Sequence, residues 1–198
     1  DGSSRFLRDK RWNWFPAVSA GWNMANEDFW ANSDSWLRTI NTFKIRGSYG
    51  ELGNQATNSW YPFFLTMPLG NLNGNWLLNG ERTNTAGTPG MVSSLLTWER
   101  VRDWNIGLDL GAFNNKLSAT FELFKRTTFD MVGPAPQLPG VLGTNPPRIN
   151  NTDMLSKGFE LSLSWNDKIG QDFTYGLRGT LTDNRQKILK YPNELNRI

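Results

Sequence analysis

From Trp104 to Phe124 the chain reads WNIGLDLGAFNNKLSATFELF, apolar at every second position. Trp104, Ile106, Leu108 and Leu110 occupy even positions, with Asn105, Gly107, Asp109 and Gly111 between them. After Asn114 and Asn115 the parity inverts. Leu117, Ala119, Phe121 and Leu123 are then apolar and odd, while Ser118, Thr120 and Glu122 are polar and even. A period of two, broken by Asn-Asn and resumed in the opposite parity, predicts a β-hairpin with its apolar side chains on one face.

The same rhythm recurs along the chain. Phe15 to Met24 alternates Val18, Ala20 and Trp22 against Ala17, Ser19 and Gly21, with Pro16 marking the strand start. Asn32-Ser33 is placed to cap a short helical turn through Trp36 and Leu37. Phe43 to Gly50 sets Phe43, Ile45 and Tyr49 against Lys44, Arg46 and Ser48. From Glu51 to about Leu95, Gly, Asn, Thr and Pro dominate, predicting a long loop; Trp60 to Met67 reads as a strand or an apolar plug within it. The central hairpin extends from Thr97 to about Asp130. A Pro-rich segment, Val132 to about Ser156, predicts a second long loop. Lys157 to Trp165 alternates again, NDKIGQD forms a short turn, and Phe173 to Leu181 completes the set. The count is about six strands. Tight turns at Asn114-Asn115 and Asp167 to Gln171 alternate with the two long loops.

Composition narrows what these faces meet. Of 198 residues 38% are hydrophobic, and mean hydropathy is −0.52. No run approaches the roughly 20 apolar residues of a transmembrane helix. That excludes a helical membrane protein and leaves a barrel untouched, because alternating strands score poorly on hydropathy. Cysteine and histidine are absent, which removes disulfides, thiolate chemistry and the commonest general base and metal ligand. The net charge of +3 is spread along the chain and gives no nucleic-acid footprint. The polar opening Asp1-Gly2-Ser3-Ser4 is no signal peptide, so we expect a mature chain or one that begins within a longer one.

Aromatics reach 13%, with ten Trp. Trp22, Phe43, Trp104, Phe113, Trp165 and Phe173 fall on the apolar faces near predicted strand ends, as headgroup-level girdles require. The opposite faces carry Gly, Ser, Thr and Asn with single charges at Asp109, Glu122, Glu160 and Arg178, suited to a wet barrel interior. Short turns at one end and long loops at the other describe an outer-membrane barrel. Against this stands a soluble sandwich whose core these aromatics fill; the competing functional reading is a soluble carbohydrate-binding β-sandwich or barrel whose exposed aromatics grip sugars.

Candidate chemistry is sparse. Asp109 and Glu122 lie on the in-facing parity of successive strands and are a candidate carboxylate pair. A glycosidase needs its pair about 5–9.5 Å apart, and we read these two as solvated lumen charges. Trp60, Tyr61, Phe63, Phe64 and Trp76 have the chemistry to stack on sugar rings, although packing among the loops is the preferred reading. We assign no catalytic, metal, cofactor-binding or ligand-binding residue, and expect no enzyme and no cofactor.

Beyond the pattern, DGSSRF, FPAVSAGW, FKIRGSYGELGN (Phe43 to Asn54), LTWERVRDWNIGLDLGAFNNKLSATFELFKRTTFDMV (Leu96 to Val132), KGFELSLSW and YGLRGTLTDNRQKI occur in this order. In that order and spacing they resemble the SusC/RagA-type TonB-linked outer-membrane transporters of Bacteroidota, over nearly the whole chain. Ser156-Lys157-Gly158 departs from the Asn-Lys-Gly usual in that family. The resemblance implies an all-β, antiparallel transmembrane barrel of about 22 strands with an internal plug. Residues 1–198 would supply about six of those strands and no plug domain. It also implies residence in the cell outer membrane and import of an oligomeric nutrient, glycan or peptide. The implied partners are a SusD-like surface lipoprotein, the TonB complex acting through an N-terminal region, and outer-membrane lipid.

Overall fold

A computed structural model describes residues 1–32, 36–55, 57, 59–71, 76–135 and 139–192 of the chain. Its strands are β1 (Ala17–Asn23), β2 (Ile40–Asn54), β3 (Leu69–Gly70), β4 (Leu77–Leu78), β5 (Glu81–Arg82), β6 (Thr85–Ala86), β7 (Glu99–Ala112), β8 (Leu117–Val132), β9 (Asn150–Ile169) and β10 (Phe173–Lys190). Six of them form one sheet, ordered β1-β2-β7-β8-β9-β10; β3 pairs with β6 and β4 with β5 inside the long β2–β7 connection. All pairings in the large sheet are antiparallel. The sheet is therefore a meander, with β1 and β10 as its edges among the described residues.

Register converts the sequence alternation into two faces. Trp22, Ile45, Leu108, Phe121, Leu161 and Leu181 stand opposite one another in a row across all six strands. One position along, the row is Asn23, Lys44, Asp109, Thr120, Ser162 and Thr180. A slip of one residue in any strand would put its apolar set on the polar face.

No second layer of the described residues covers the apolar face. Ile106 is 59% and Leu177 70% exposed, and Val18, Trp22, Ile45, Leu123, Leu163 and Leu181 are exposed as well. A water-filled surroundings would penalise such a contiguous apolar surface. The small buried cluster lies elsewhere, at the loop end of the sheet, where Phe6, Leu96 and Trp98 pack with Phe15 and Val132. Phe6 and Phe15 approach the Trp98 ring at centroid distances of 5.1 and 5.4 Å. Beside them the buried Glu99 carboxylate accepts from Asn54 Nδ2 (2.8 Å) and from the Val132 N–H (2.9 Å), tying β2, β7 and β8 together.

At the other end the connections are compact. Phe113, Asn114 and Asn115 are all left-handed, with φ of 56°, 57° and 64°, so the expected Asn-Asn turn spans 113–116. Ala112 pairs with Leu117 across it, which is why the apolar parity flips. The β9–β10 turn covers only 170–172, with Gly170 at φ of 68°, rather than the expected Asp167 to Gln171, because β9 pairs as far as Ile169. Lys116 Nζ meets Asp167 Oδ1 at 2.7 Å, joining the first turn to the end of β9. Residues 24–39, between β1 and β2, carry the helical turns Met24–Asn26, Asp28–Ala31 and Trp36–Thr39. The expected turn through Trp36 and Leu37 is present; its proposed Ser33 cap lies outside the described residues. Trp30 is buried there, its ring stacked 5.3 Å from that of Phe43.

Three sequence boundaries are corrected. β2 runs to Asn54, past the expected loop start at Glu51. β9 starts at Asn150 rather than Lys157, so the second loop covers only 133–149. β10 continues to Lys190, beyond Leu181. Trp60 to Met67 forms no strand in its described residues. The ladders go on pairing where neither face has an apolar medium to match, so the alternation fades before the strand does.

Candidate functional site

The polar face is held by charges that reach across strands. Arg46 on β2 pairs directly with Gly107 on β7, which pairs with Glu122 on β8, which faces Glu160 on β9. Gly107 offers no side chain, and a Cβ there would lie 2.7 Å from Arg46 Cζ. The Arg46 guanidinium therefore lies over β7 and donates from Nη2 to Glu122 Oε2 (3.2 Å) and from Nε to Asp109 Oδ2 (3.1 Å). A second bridge links Arg126 on β8 to both oxygens of Asp103 on β7, at 2.9–3.1 Å. Between these bridges Asp103, Asn105, Glu122, Phe124, Ser156 and Asn184 line a polar concavity.

The expected Asp109–Glu122 pair thus shares one arginine. Each carboxylate is committed to an ion pair rather than free to shuttle protons, so the geometry gives no acid–base couple. Sequence reasoning missed Arg46 as the bridge. Its signal was a cation on the polar parity of β2 facing Gly107, legible only once the β2–β7 register is known. Among the described residues no group of three or more Asp, Glu, His or Cys is placed to hold a metal ion.

In the long β2–β7 connection Phe63 and Phe64 pack at 4.8 Å, and Tyr61 meets Phe64 edge-on at 5.8 Å. Trp60 remains exposed, with the Arg5 guanidinium 4.3 Å above its ring. Trp76 is 79% exposed. An open depression of ≈ 710 Å³ lies over Tyr61, Pro62, Phe64, Met91 and Val92. The loop aromatics thus pack on one another and still leave ring faces open.

The expected girdle residues split. Trp22, Phe43, Phe113, Trp165 and Phe173 lie at the tight-turn end, where Phe113 meets Trp165 at 5.8 Å. Trp104 precedes Ala112 by eight positions in β7, toward the loop end, packed on Tyr49 at 4.5 Å. Eight residues at ~3.4 Å cover about 27 Å of strand, or roughly 20 Å of depth after a ~40° tilt. That is close to the apolar belt of a barrel in an outer membrane.

An antiparallel meander with a bare apolar belt, a wet polar face, tight turns at one end and long loops at the other is the wall of a membrane β-barrel. The chain belongs to the TonB-dependent receptor-like β-barrel family, whose model matches residues 1–198. It is 30% identical over 193 residues to TonB-dependent receptor P3 of Formosa agariphila, a match covering 98% of this chain and 18% of that protein. It is 28% identical over 193 residues to TonB-dependent receptor SusC of Bacteroides thetaiotaomicron, covering 96% and 18%. Among solved structures, the RagAB peptide importer in its closed-closed state superposes with a TM-score of 0.80 at 28% identity, over 98% of this chain and 20% of that one. The chain therefore spans about a fifth of the length of these relatives. It is an outer-membrane barrel segment of the SusC/RagA type, as its sequence motifs suggest.

Proposed function

We propose that residues 1–198 form part of the wall, the lumen lining and two outward loops of a TonB-dependent importer of oligomeric nutrients, either glycans or peptides. They work without catalysis, and the plug is supplied from outside these residues. The observation that carries this reading is the pairing of an uncovered apolar face with an ion-paired polar face through one continuous register. Such a wall holds lipid on one side and hydrated cargo on the other. The relatives bear the names of a TonB-dependent receptor, SusC, and of a peptide importer, RagAB. We assign the two long loops to contact with cargo and with a SusD-like surface lipoprotein, and coupling to the TonB complex to the remainder of the protein.

The alternative soluble sugar-binding sandwich needs a second sheet over Leu108 and its row. The described residues form none there.

The test is uptake by cells of labelled oligosaccharide and oligopeptide pools, with and without the gene and with the proton-motive force dissipated. Import of one pool is expected to stop in both cases, while surface binding survives loss of the proton gradient. A protein of 22.5 kDa that is monomeric and soluble without detergent would overturn the reading.

A further inference from the structure

One row of the apolar face changes character halfway across the sheet. Val18, Tyr49, Trp104, Lys125, Lys157 and Arg185 stand opposite one another on β1, β2, β7, β8, β9 and β10. The first three are apolar or aromatic; the last three are cations. Lys125 and Lys157 are direct cross-strand partners, which places their Cβ atoms about 5 Å apart. Like charges so placed repel, and neither lysine has an ion-pair partner among the described residues. Among the described residues Arg185 pairs only with Asp183, two residues earlier on its own strand (Nε–Oδ2 3.2 Å). The charges of the opposite face, Glu122 and Glu160 among them, point away from this row.

The floor beneath the cations is apolar. Trp104, Ile106, Leu123, Lys125, Lys157 and Arg185 line an open concavity of ≈ 420 Å³ together with Asp183, whose single carboxylate is ion-paired with Arg185 and leaves the two lysines in excess. The row also lies at the loop-side edge of the roughly 20 Å belt, and the Tyr49–Trp104 aromatic pair marks headgroup level at the same height. A ligand for this place needs an anion at the top and hydrocarbon below it. A soluble anion satisfies only the first requirement.

We propose that Lys125, Lys157 and Arg185 form a docking site for the phosphate of an outer-leaflet lipid, with its acyl chains lying on Ile106 and Leu123. The bound phosphate neutralises the lysine pair, so the wall carries its two adjacent cations without cost only in a membrane that supplies the anion. The site faces away from the lumen and is separate from any cargo path.

The test uses the intact protein purified in detergent, with its fold verified by heat-modifiable electrophoretic mobility. Retained lipid is counted by native mass spectrometry after exposure to phosphorylated lipid A and to the same glycolipid stripped of phosphate. The phosphorylated form is expected to be retained roughly tenfold more. That preference should disappear in the Lys125→Gln/Lys157→Gln double variant and survive in Lys125→Arg/Lys157→Arg. Inorganic phosphate at the same concentration should not displace the lipid. Equal retention of the two glycolipids by the unaltered protein would overturn the proposal, as would an undiminished preference in the glutamine variant. Both readouts are independent of transport, so they stand or fall apart from the importer reading.

Discussion

Arg46 on β2 is ion-paired with Glu122 on β8, a strand beyond its neighbour, because Gly107 on the intervening β7 has no side chain to block the path. The bridge also takes in Asp109, so one guanidinium serves two carboxylates while Glu160 stands opposite Glu122. The groups are about a third exposed, so each pair contributes modestly, on the order of 0.5–1 kcal/mol. Arg46→Gln is expected to lower stability by about 1 kcal/mol, because it removes the cation shared by Asp109 and Glu122 and leaves Glu122 facing Glu160 with no bridging charge. Adding Glu122→Gln should recover part of that loss. Urea unfolding of the protein in bilayers, run as a double-mutant cycle, reads both changes.

Gly107→Val probes the same bridge from the strand beneath it. The new side chain would occupy the space of the Arg46 side chain from Cγ to Cζ. Because Val suits a strand, the sheet is expected to persist while the guanidinium is displaced. The stability change should therefore match that of Arg46→Gln, and combining the two substitutions should add little. Full additivity would mean that Gly107 serves some purpose other than clearance.

The two faces ask for opposite substitutions. Leu108 lies midway between Trp104 and Ala112, at the centre of the apolar belt. Leu108→Lys is expected to cost about 2–4 kcal/mol in a bilayer. Asp109→Asn, one residue away on the polar face, loses a single ion pair that is about a third exposed and should cost under about 1 kcal/mol. Equilibrium unfolding in lipid vesicles gives the comparison. Equal costs at the two positions would contradict the assignment of lipid and lumen.

The same geometry explains how much of the fold was legible in the sequence. The hairpin through Asn114 was plain because lipid imposes apolar residues on one face from Trp104 to Leu110 and again from Leu117 to Leu123. β9 was underestimated at its start because residues 150–156 lie beyond the belt, where no medium selects for alternation, although Thr152 and Met154 keep their ladder partners Met131 and Thr128. At ~3.4 Å per residue the 20-residue β9 is about twice as long as the belt requires. The polar bridge was hidden for another reason. Arg46 and Glu122 are joined through register, which depends on the pairing of β2 with β7 and of β7 with β8. The lysine row was hidden likewise, since Lys125 and Lys157 become neighbours only through the β8–β9 ladder.

The tight turn sets that register and offers a local test. Asn115 has φ of 64°, a region where β-branched residues are strained. Asn115→Val is expected to cost about 1–2 kcal/mol, whereas Asn115→Gly should be neutral or slightly favourable. Thermal loss of heat-modifiable mobility ranks the three proteins. A valine variant as stable as the parent would mean that the turn relaxes without strain.

The loop-end cluster predicts a change in order rather than in the barrel wall. Trp98 is buried against Phe6 and Phe15, and its indole N–H donates to the Lys10 carbonyl at 3.1 Å. The other anchors of residues 1–16 are polar: the Asp1 ammonium donates to the Asn13 carbonyl within the segment itself, Ser3 and Arg5 bond to Gln55 and Thr57 at the start of the β2–β7 connection, Lys10 Nζ donates to the Ser94 carbonyl, and the Pro16 carbonyl accepts from the Glu51 N–H of β2. Trp98→Ala removes the ring that joins this segment to β7, at a local cost of about 3–5 kcal/mol. The hydrogen bonds that remain, at roughly 1 kcal/mol each, gather at Arg5 and Pro16 and leave the stretch around Phe6 and Lys10 without its apolar anchor. That stretch is therefore expected to detach while β2 and β7 keep their ladder, whose register is set by side chains on the belt. Limited proteolysis should cut the variant within residues 1–16 and leave the hairpin of β7 and β8 protected. Loss of protection across β7 as well would show that Trp98 supports the wall itself.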